Sequence, residues 1–417
     1  MPYKVKDIAL AKQGKSKIAL AEKEMPVLQS IKAEFEKTKP FEGLTISACL
    51  HVTKETAVLM KALKAGGARI GLCGSNPLST QDDISAALAE EGINIFAWRG
   101  IKEDKYYWCV DKILDMKPEL IIDDGADLIS VLHKERKAQL KEIWSCQEET
   151  TTGVIRLKAM EKDGKLKLPV VAINDTPTKH MFDNYYGTGQ STIDGLLRAT
   201  NVLLAGKTLV VAGYGFCGKG IALRAKGLGA KVVVTEVDAL PALQAAMDGF
   251  EVMPMTKAAR LGDIFITVTG NKDVITKEHY AVMKDGAILG NSGHFNVEIN
   301  EQQLKQSSKN IKTVRDNLAE YEQKDGRKIY LIGEGRLMNL AAAEGHPSAV
   351  MDLSFADQAL SCEWLAKNHE SLEHKVYNVP TEIDVKVAKL KLASMGVKID
   401  TLTPAQAKYL ASWQEGT

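Results

Sequence analysis

The chain has no excess of charge of either sign. Its 54 Lys and Arg are offset by 53 Asp and Glu, leaving a formal net charge of +1 over 417 residues. No long run of one sign occurs, which excludes a broad electrostatic footprint for nucleic acid or an anionic membrane. No apolar stretch approaches the ~20 residues that a bilayer span needs, and the N-terminal MPYKVKDIALAKQGK has no apolar core of signal-peptide length. The six cysteines (Cys49, Cys73, Cys109, Cys146, Cys217, Cys362) are scattered without a C-x-x-C. They read as reduced thiols of a cytosolic protein. Eight histidines form no H-x-x-x-H or Cys/His cluster, so no metal site is expected. There is no internal repeat or low-complexity segment. What remains is an ordinary globular composition at a length that suits two or three domains.

The organising stretch is Lys207–Gly220, KTLVVAGYGFCGKG. A β-branched run, Thr208–Ala212, meets Gly213, Gly215 and Gly218 at G-x-G-x-x-G spacing. A helical segment, Lys219–Leu228, and a second apolar run, Lys231–Val234, follow, with Glu236 just beyond. Strand, glycine turn, helix, strand and acid in that order form a dinucleotide-binding fingerprint. The helix start offers N–H groups to a pyrophosphate, and Glu236, with Asp238 as back-up, suits a ribose diol. That acid favours NAD over NADP. The overlapping G-x-x-x-x-G-K is followed by Gly220, so no hydroxyl is available for magnesium and a P-loop is excluded.

Residues 1–40 read as two amphipathic helices, with Leu20, Met25, Leu28, Ile31 and Phe35 spaced along Ala19–Lys37 as a packing face. From Leu44 to Asn174, strands (Leu44–Leu50, Ala68–Cys73, Asn94–Ala97, Leu120–Asp123, Val170–Ile173) alternate with helices (Lys54–Lys64, Asp82–Glu91, Tyr107–Met116). That alternation implies a parallel, doubly wound sheet. Polar clusters fall at the strand ends, where such sheets bind ligands. They are His51–Thr56, Ser75–Asp82, Asp123–Gly125, Glu148–Gly153 and Asn174–Asn184. Thr53 and Ser79 resemble N-caps, and Asp123 a structural cap. Asn184–Ser191 reads as a hinge, and Ser191–Leu204 as a helix leading into the fingerprint. Strands Ile264–Val268, Ala287–Leu289 and Lys328–Ile332 continue the second unit, and Gly345-His346-Pro347 is the return hinge. Ser348–Asn368 is a helix rejoining the first unit, followed by helices Glu382–Met395 and Thr403–Ala411. The expected fold is α/β: two doubly wound, Rossmann-like sheets with a deep cleft between them and a small C-terminal helical extension. The expected boundaries are 1–184 with 347–380, 185–346, and 381–417.

The first rim brings together Lys179 and Asp183, one turn apart if helical, with Asp124, Glu149 and two histidines. A simple dehydrogenase needs fewer acid/base groups. Together with CLHVTKETA, STQDD, DDGADL, EETTTG, KHMFDN, VVAGYGFCGKG, GHF, EGRLMNL and GHPS, the chain from about Leu44 to Leu410 resembles the S-adenosyl-L-homocysteine hydrolases. The resemblance implies an NAD that is reduced and reoxidised within each cycle. The 3′-hydroxyl is oxidised, homocysteine is eliminated, water adds, and the ketone is reduced again. It implies that Lys179 and Asp183 handle the 3′-hydroxyl, with Asn184 and Glu149 orienting Lys179. Asp124 is then the C4′ base, His51 serves the leaving thiol and water, and His294 lies near the ribose. Substrate contacts are Thr53, Glu55, Thr56, Gln81, His346 and Met351. Besides the glycines and Glu236, cofactor contacts are Thr150, Thr151, Thr152, Phe216, Cys217, Thr269, Asn271, Ser292, Gly293, His294 and Asn339.

Lys179 is expected to need a depressed pKa. The family commonly ends in a basic, tyrosine-containing tail, whereas this chain ends SWQEGT and resembles a shorter branch. Thr188 stands where a Cys is often found. The resemblance further implies a cytoplasmic homotetramer acting on S-adenosylhomocysteine, adenosine and homocysteine. The rival expectations are an inosyl-preferring hydrolase, which a carboxylate at Glu55 disfavours, a conventional NAD-dependent dehydrogenase, and a catalytically silent NAD-binding regulator.

Overall fold

The computed structural model describes residues 2–414. Two parallel-stranded layers dominate it. The first sheet takes β1 (Thr45–Leu50), β2 (Arg69–Gly74), β3 (Asn94–Phe96), β4 (Leu120–Asp123), β5 (Ser145–Glu148) and β6 (Val170–Ala172). The second takes β7 (Thr208–Ala212), β8 (Lys231–Thr235), β9 (Glu251–Val252), β10 (Ile264–Thr267), β11 (Ala287–Asn291), β12 (Ser308–Arg315), β13 (Leu318–Gln323) and β14 (Lys328–Ile332). β15 (Val376–Asn378) returns to the first sheet.

The strand order of the first sheet is β15-β6-β5-β4-β1-β2-β3, parallel throughout. The chain builds outward from β1 in one direction and then restarts at β4 on its other side. That reversal opens a crevice beyond the carboxyl ends of β1 and β4, where His51 and Asp124 lie. The second sheet runs β12-β13-β14-β11-β10-β7-β8-β9. Its crevice falls between β7 and β10, at the glycine turn and Thr269. Both sites therefore follow from strand order, and they face each other across the cleft.

Two sequence expectations change. The second sheet is not wholly parallel, because β12 and β13 form an antiparallel hairpin on β14. The solvent-facing, polar β12 gave no apolar signal. The N-terminal pair breaks at Met25, with helices Ala11–Glu24 and Pro26–Thr38. Pro26, at a helix first turn, resets the periodicity, so Leu20 is 60% exposed while Ile18 and Ala21 are buried. Asn184–Ser191, polar and glycine-containing, forms continuous helix. A π-helical stretch His180–Gly187 runs directly into Thr188–Thr200. No helix among the described residues is long and apolar enough to cross a membrane.

The helix Ser348–Asn368 packs on Pro26–Thr38, Lys54–Ala65 and Thr381–Ser394, in the first lobe. It buries Asp352, Ser354, Asp357, Gln358 and Ser361 completely, and a buried polar group is tolerable only with partners. Asp352 accepts the N–H groups of Val27 (3.2 Å) and Leu28 (2.9 Å), orphan donors at a helix start, and pairs with Lys391 at 2.9 Å. Asp352→Ala strands all three groups. The expected loss is about 3 kcal/mol of unfolding free energy, read as a lower denaturant midpoint. An unchanged midpoint would show the tie to be dispensable.

Candidate active site

His51 and Asp124 leave the ends of β1 and β4. His51 Nε2 lies 3.2 Å from Asp124 Oδ2, while Nδ1 lies 2.8 Å from Ser79 Oγ and 3.2 Å from Ser75 Oγ. The network assigns the neutral tautomer with Nε2–H donating to Asp124 and Nδ1 accepting from a serine. Ser79 is thus a partner of His51. The expected cap is absent because the following helix begins at Asp82, without a side-chain cap. Thr53 does cap Lys54–Ala65. Burial pushes the His51 imidazole down to about 4, despite the opposing pull of Asp124. His294 reaches across from the second lobe, its Nδ1 3.6 Å from Asp124 Oδ1.

His51, Asp124 and His294 bring one donor atom each within 4.8 Å of the others, a grouping that sequence spacing could not reveal. The spacing would admit a divalent ion at the expense of the His51–Asp124 hydrogen bond. Asp123 is a cap as expected, accepting from Asp124 N (3.0 Å) and Ile129 N (2.9 Å).

Lys179 is buried at the start of the π-helical stretch. Wider than an α-helix, that turn brings both i+4 and i+5 to one face. Lys179 Nζ lies 2.9 Å from Asn184 Oδ1, 3.6 Å from Asp183 Oδ2 and 3.2 Å from Glu149 Oε1. Asn184 in turn donates to Asn174 at 3.0 Å. Asp183 also meets His346 Nδ1 at 2.5 Å and accepts from Ser354 at 2.7 Å. Gln358 donates to Glu149.

The protein's own groups do not by themselves give the depressed Lys179 pKa expected beside a cationic nicotinamide. Burial does oppose the charge, but Asp183 and Glu149 outweigh it and raise the ammonium's pKa. Burial would raise Asp183, yet Lys179 and His346 hold it below the usual carboxylate range. Burial pushes Glu149 up to about 8 against the pull of Lys179.

In the second lobe the three fingerprint glycines divide the work. Gly213 has φ +101°, which L side chains avoid, and a Cβ on Gly218 would stand 1.9 Å from Gly213 O. A Cβ on Gly215 would meet nothing within 4 Å, so the backbone there opens onto free space, the cradle a pyrophosphate fits. Glu236 Oε1 accepts Tyr214 N at 2.6 Å, and Oε2 accepts Val237 N at 2.9 Å, bracing that turn. Asn339 Oδ1 is buried without a partner and Asn339 lines the cavity, where a carboxamide N–H would satisfy it. The residues present therefore fit NAD.

One cavity gathers His51, Thr53, Thr56, Asp124, Glu149, Thr150, Thr151, Lys179, Asp183, Asn184, Cys217, Ser292, His294, Asn339, His346 and Met351. The remaining candidates lie around it. Glu55 is buried, accepting from Ser348 at 2.5 Å and pairing with Lys54 at 3.1 Å. Gln81 donates to Glu344 O at 3.3 Å, at the junction of the lobes. Thr152 faces Gly270, and Phe216 packs on His180 with ring centroids 4.6 Å apart. Thr269 gives its N–H and hydroxyl to Glu298, Gly293 lies against the same carboxylate, and Asn271 N–H donates to Thr269.

Sequence reasoning missed Leu50, Leu337, Leu340 and Phe355 on the wall. It also missed the polar stripe Ser354, Asp357 and Gln358, whose signal was polar residues at helical spacing within a segment otherwise apolar.

Such an arrangement defines a class: a two-lobed α/β enzyme that holds a dinucleotide in one lobe and presents a buried acid/base cluster to it from the other. The family model described as S-adenosyl-L-homocysteine hydrolase matches residues 2–145, and that of its NAD binding domain matches residues 184–345. The chain is 61% identical over 417 residues to the adenosylhomocysteinase of Sulfurisphaera tokodaii. It is 59% identical over 418 residues to that of Aquifex aeolicus, and 58% identical over 415 residues to the S-inosyl-L-homocysteine hydrolase of Methanocaldococcus jannaschii. In each case the match spans all of both chains. The chain belongs to the S-adenosyl-L-homocysteine hydrolase family.

The lowered His51 pKa sets a pH dependence. Between pH 6.5 and about 4 the unfolded chain binds a proton at His51 that the folded protein refuses. This group's contribution to stability therefore falls as pH drops through that window. His51→Gln is expected to flatten the slope of unfolding free energy against pH there. A slope identical to wild type would contradict the assignment.

Proposed function

We propose that the chain catalyses the reversible hydrolysis of S-adenosyl-L-homocysteine to adenosine and L-homocysteine, with NAD as cofactor. The observation that carries this reading is the Lys179–Glu149–Asp183 cluster, buried in the cavity that also receives Cys217 and Ser292 from the dinucleotide lobe. A thioether on an unactivated carbon leaves poorly, whereas a neighbouring ketone makes the C4′–H acidic and turns displacement into elimination. NAD, when bound, supplies the reversible hydride acceptance that creates and later removes that ketone.

The protein's own groups move the protons. Lys179, held charged by Asp183, donates a hydrogen bond to the 3′-oxygen. To receive the 3′-hydroxyl proton it must first release one, and the ionised form of Glu149, 3.2 Å away and with its proton affinity raised by burial, is the contacting group able to take it. Asp183 stays ionised and Asn184 fixes the ammonium's direction. Asp124 takes the C4′ proton. His51, neutral and hydrogen-bonded to Asp124, serves the departing thiolate and the incoming water, with His294 closing the ribose from the other lobe. Thr53, Glu55 and His346 serve the purine or its edge, and Thr56, Gln81 and Met351 are further substrate contacts.

The lobes divide as a substrate domain (1–184 and 347–380), an NAD domain (185–346) and an extension (381–417). The assembly is read as a cytoplasmic homotetramer acting on small molecules, without nucleic-acid or membrane partners, in keeping with the balanced charge. An inosyl substrate is the second reading. Lys54 beside Glu55 offsets the carboxylate that would repel a 6-oxo group, and a relative 58% identical carries that name.

Purified protein mixed with homocysteine and either adenosine or inosine tests both readings. Thioether formation with a transient rise in reduced-cofactor absorbance is expected, faster with adenosine. Faster turnover of inosine would transfer the assignment to the second reading, and no thioether from either would overturn both. Lys179→Met is expected to abolish reduction of bound NAD by adenosine while leaving the fold intact. A normal absorbance burst in that variant would refute the role given to Lys179.

A further inference from the structure

Thr178 immediately precedes Lys179 and sits where three elements meet. Its hydroxyl lies 2.8 Å from Oδ2 of Asp357, on the return helix. The same hydroxyl contacts Oδ1 of Asp384, on the helix Thr381–Ser394, and that oxygen also accepts the Thr178 N–H at 2.9 Å. Asp357 is 0% exposed, its Oδ1 has no hydrogen-bond partner, and among the described residues it forms no ion pair.

A hydroxyl carries one hydrogen, yet it stands between two carboxyl oxygens. With both acids ionised, one contact would be oxygen against oxygen with nothing between them, in a buried place. The second hydrogen must sit on a carboxyl. Asp384 is half-exposed and already accepts an N–H through the contacting oxygen, which suits a charged acceptor. Asp357 is closed off from solvent and, among the described residues, has no cation within ion-pair distance. The hydrogen therefore belongs on Asp357 Oδ2, and the partnerless Oδ1 is the carbonyl oxygen of an acid. Left bare, it costs less than a carboxylate oxygen would. Burial, reinforced by Asp384 and Glu149, pushes the Asp357 carboxyl well above its ordinary range.

We propose that Asp357 is a neutral carboxylic acid donating to Thr178, and that Asp357 and Asp384 together fix the backbone from which Lys179 projects. Resting on the role given to Lys179 above, this makes both acids positioning residues. It also brings the helix Thr381–Ser394 into the support of the site. A neutral Asp357 adds no third negative charge beside Lys179, Glu149 and Asp183.

Infrared difference spectra of the NAD-loaded protein, wild type minus Asp357→Asn, are expected to show loss of a buried carboxylic-acid C=O band. Loss of carboxylate bands instead would overturn the protonation. Asp384→Ala, at a half-exposed site, is expected to lower kcat about tenfold with KM within about twofold. Asp384→Asn, which keeps an acceptor, should restore most of the kcat, and Asp357→Asn should exceed Asp357→Leu several-fold. Wild-type kcat in Asp384→Ala, or no rescue by Asn, would overturn the positioning role. The infrared measurement needs no turnover, so it decides the protonation even where the reading of the reaction fails.

Discussion

An ammonium that is 5% exposed cannot stand alone, and the need to pair Lys179 orders much of the molecule around it. Two carboxylates answer its charge. One stands a π-helical turn away on the same segment, and the other at the end of β5. Each carboxylate is then held in turn. Ser354 and His346 fix Asp183, and Gln358 fixes Glu149. Ser354 and Gln358 lie four residues apart on one face of the buried return helix. The crossing between lobes, the return segment at His346 and the helix Ser348–Asn368 therefore converge on one ion cluster. That is why a helix buried continuously from Asp352 to Cys362 carries so many polar side chains.

A second pattern concerns loops. Three turns that border the cleft are each tied down by one carboxylate accepting backbone N–H groups. Glu148 takes those of Gly125, Ala126 and Thr150, Glu236 those of Tyr214 and Val237, and Glu298 those of Thr269 and Gly270. Strand ends of a doubly wound sheet leave such donors without partners, and a charged acceptor satisfies several at once. Glu148 and Glu298 are buried, so they act within the protein, whereas half-buried Glu236 braces the glycine turn next to the open space a dinucleotide fits.

Much of this was legible in the chain. Strands with apolar, β-branched runs stood out, and Leu120–Asp123 and the helix Ser348–Asn368 match their structural bounds. Fingerprint glycines could be read because backbone geometry at Gly213 and Gly218 admits nothing larger. Illegible features were those that depend on contacts distant in sequence. The polar strand β12 pairs only because β13 and β14 supply an edge. Ser79 resembled a cap until β1 placed His51 beside it. The expectation of a depressed Lys179 pKa weighed burial and a cofactor's charge. It did not weigh two acids at 3.2 and 3.6 Å, which outweigh burial at that distance. His51, Asp124 and His294, far apart in the chain, meet only because the two strand-order reversals face one another.

The central claim is that the two facing crevices make a C4′ carbanion by borrowing and then returning a hydride at C3′. It is tested most directly by incubating the NAD-loaded protein with adenosine deuterated at C3′ in ordinary water, and with unlabelled adenosine in deuterium oxide. The account predicts that recovered adenosine keeps its C3′ label in the first case and gains deuterium at C4′ in the second. Loss of the C3′ label to solvent, or an unexchanged C4′ while the thioether is turned over, would contradict it.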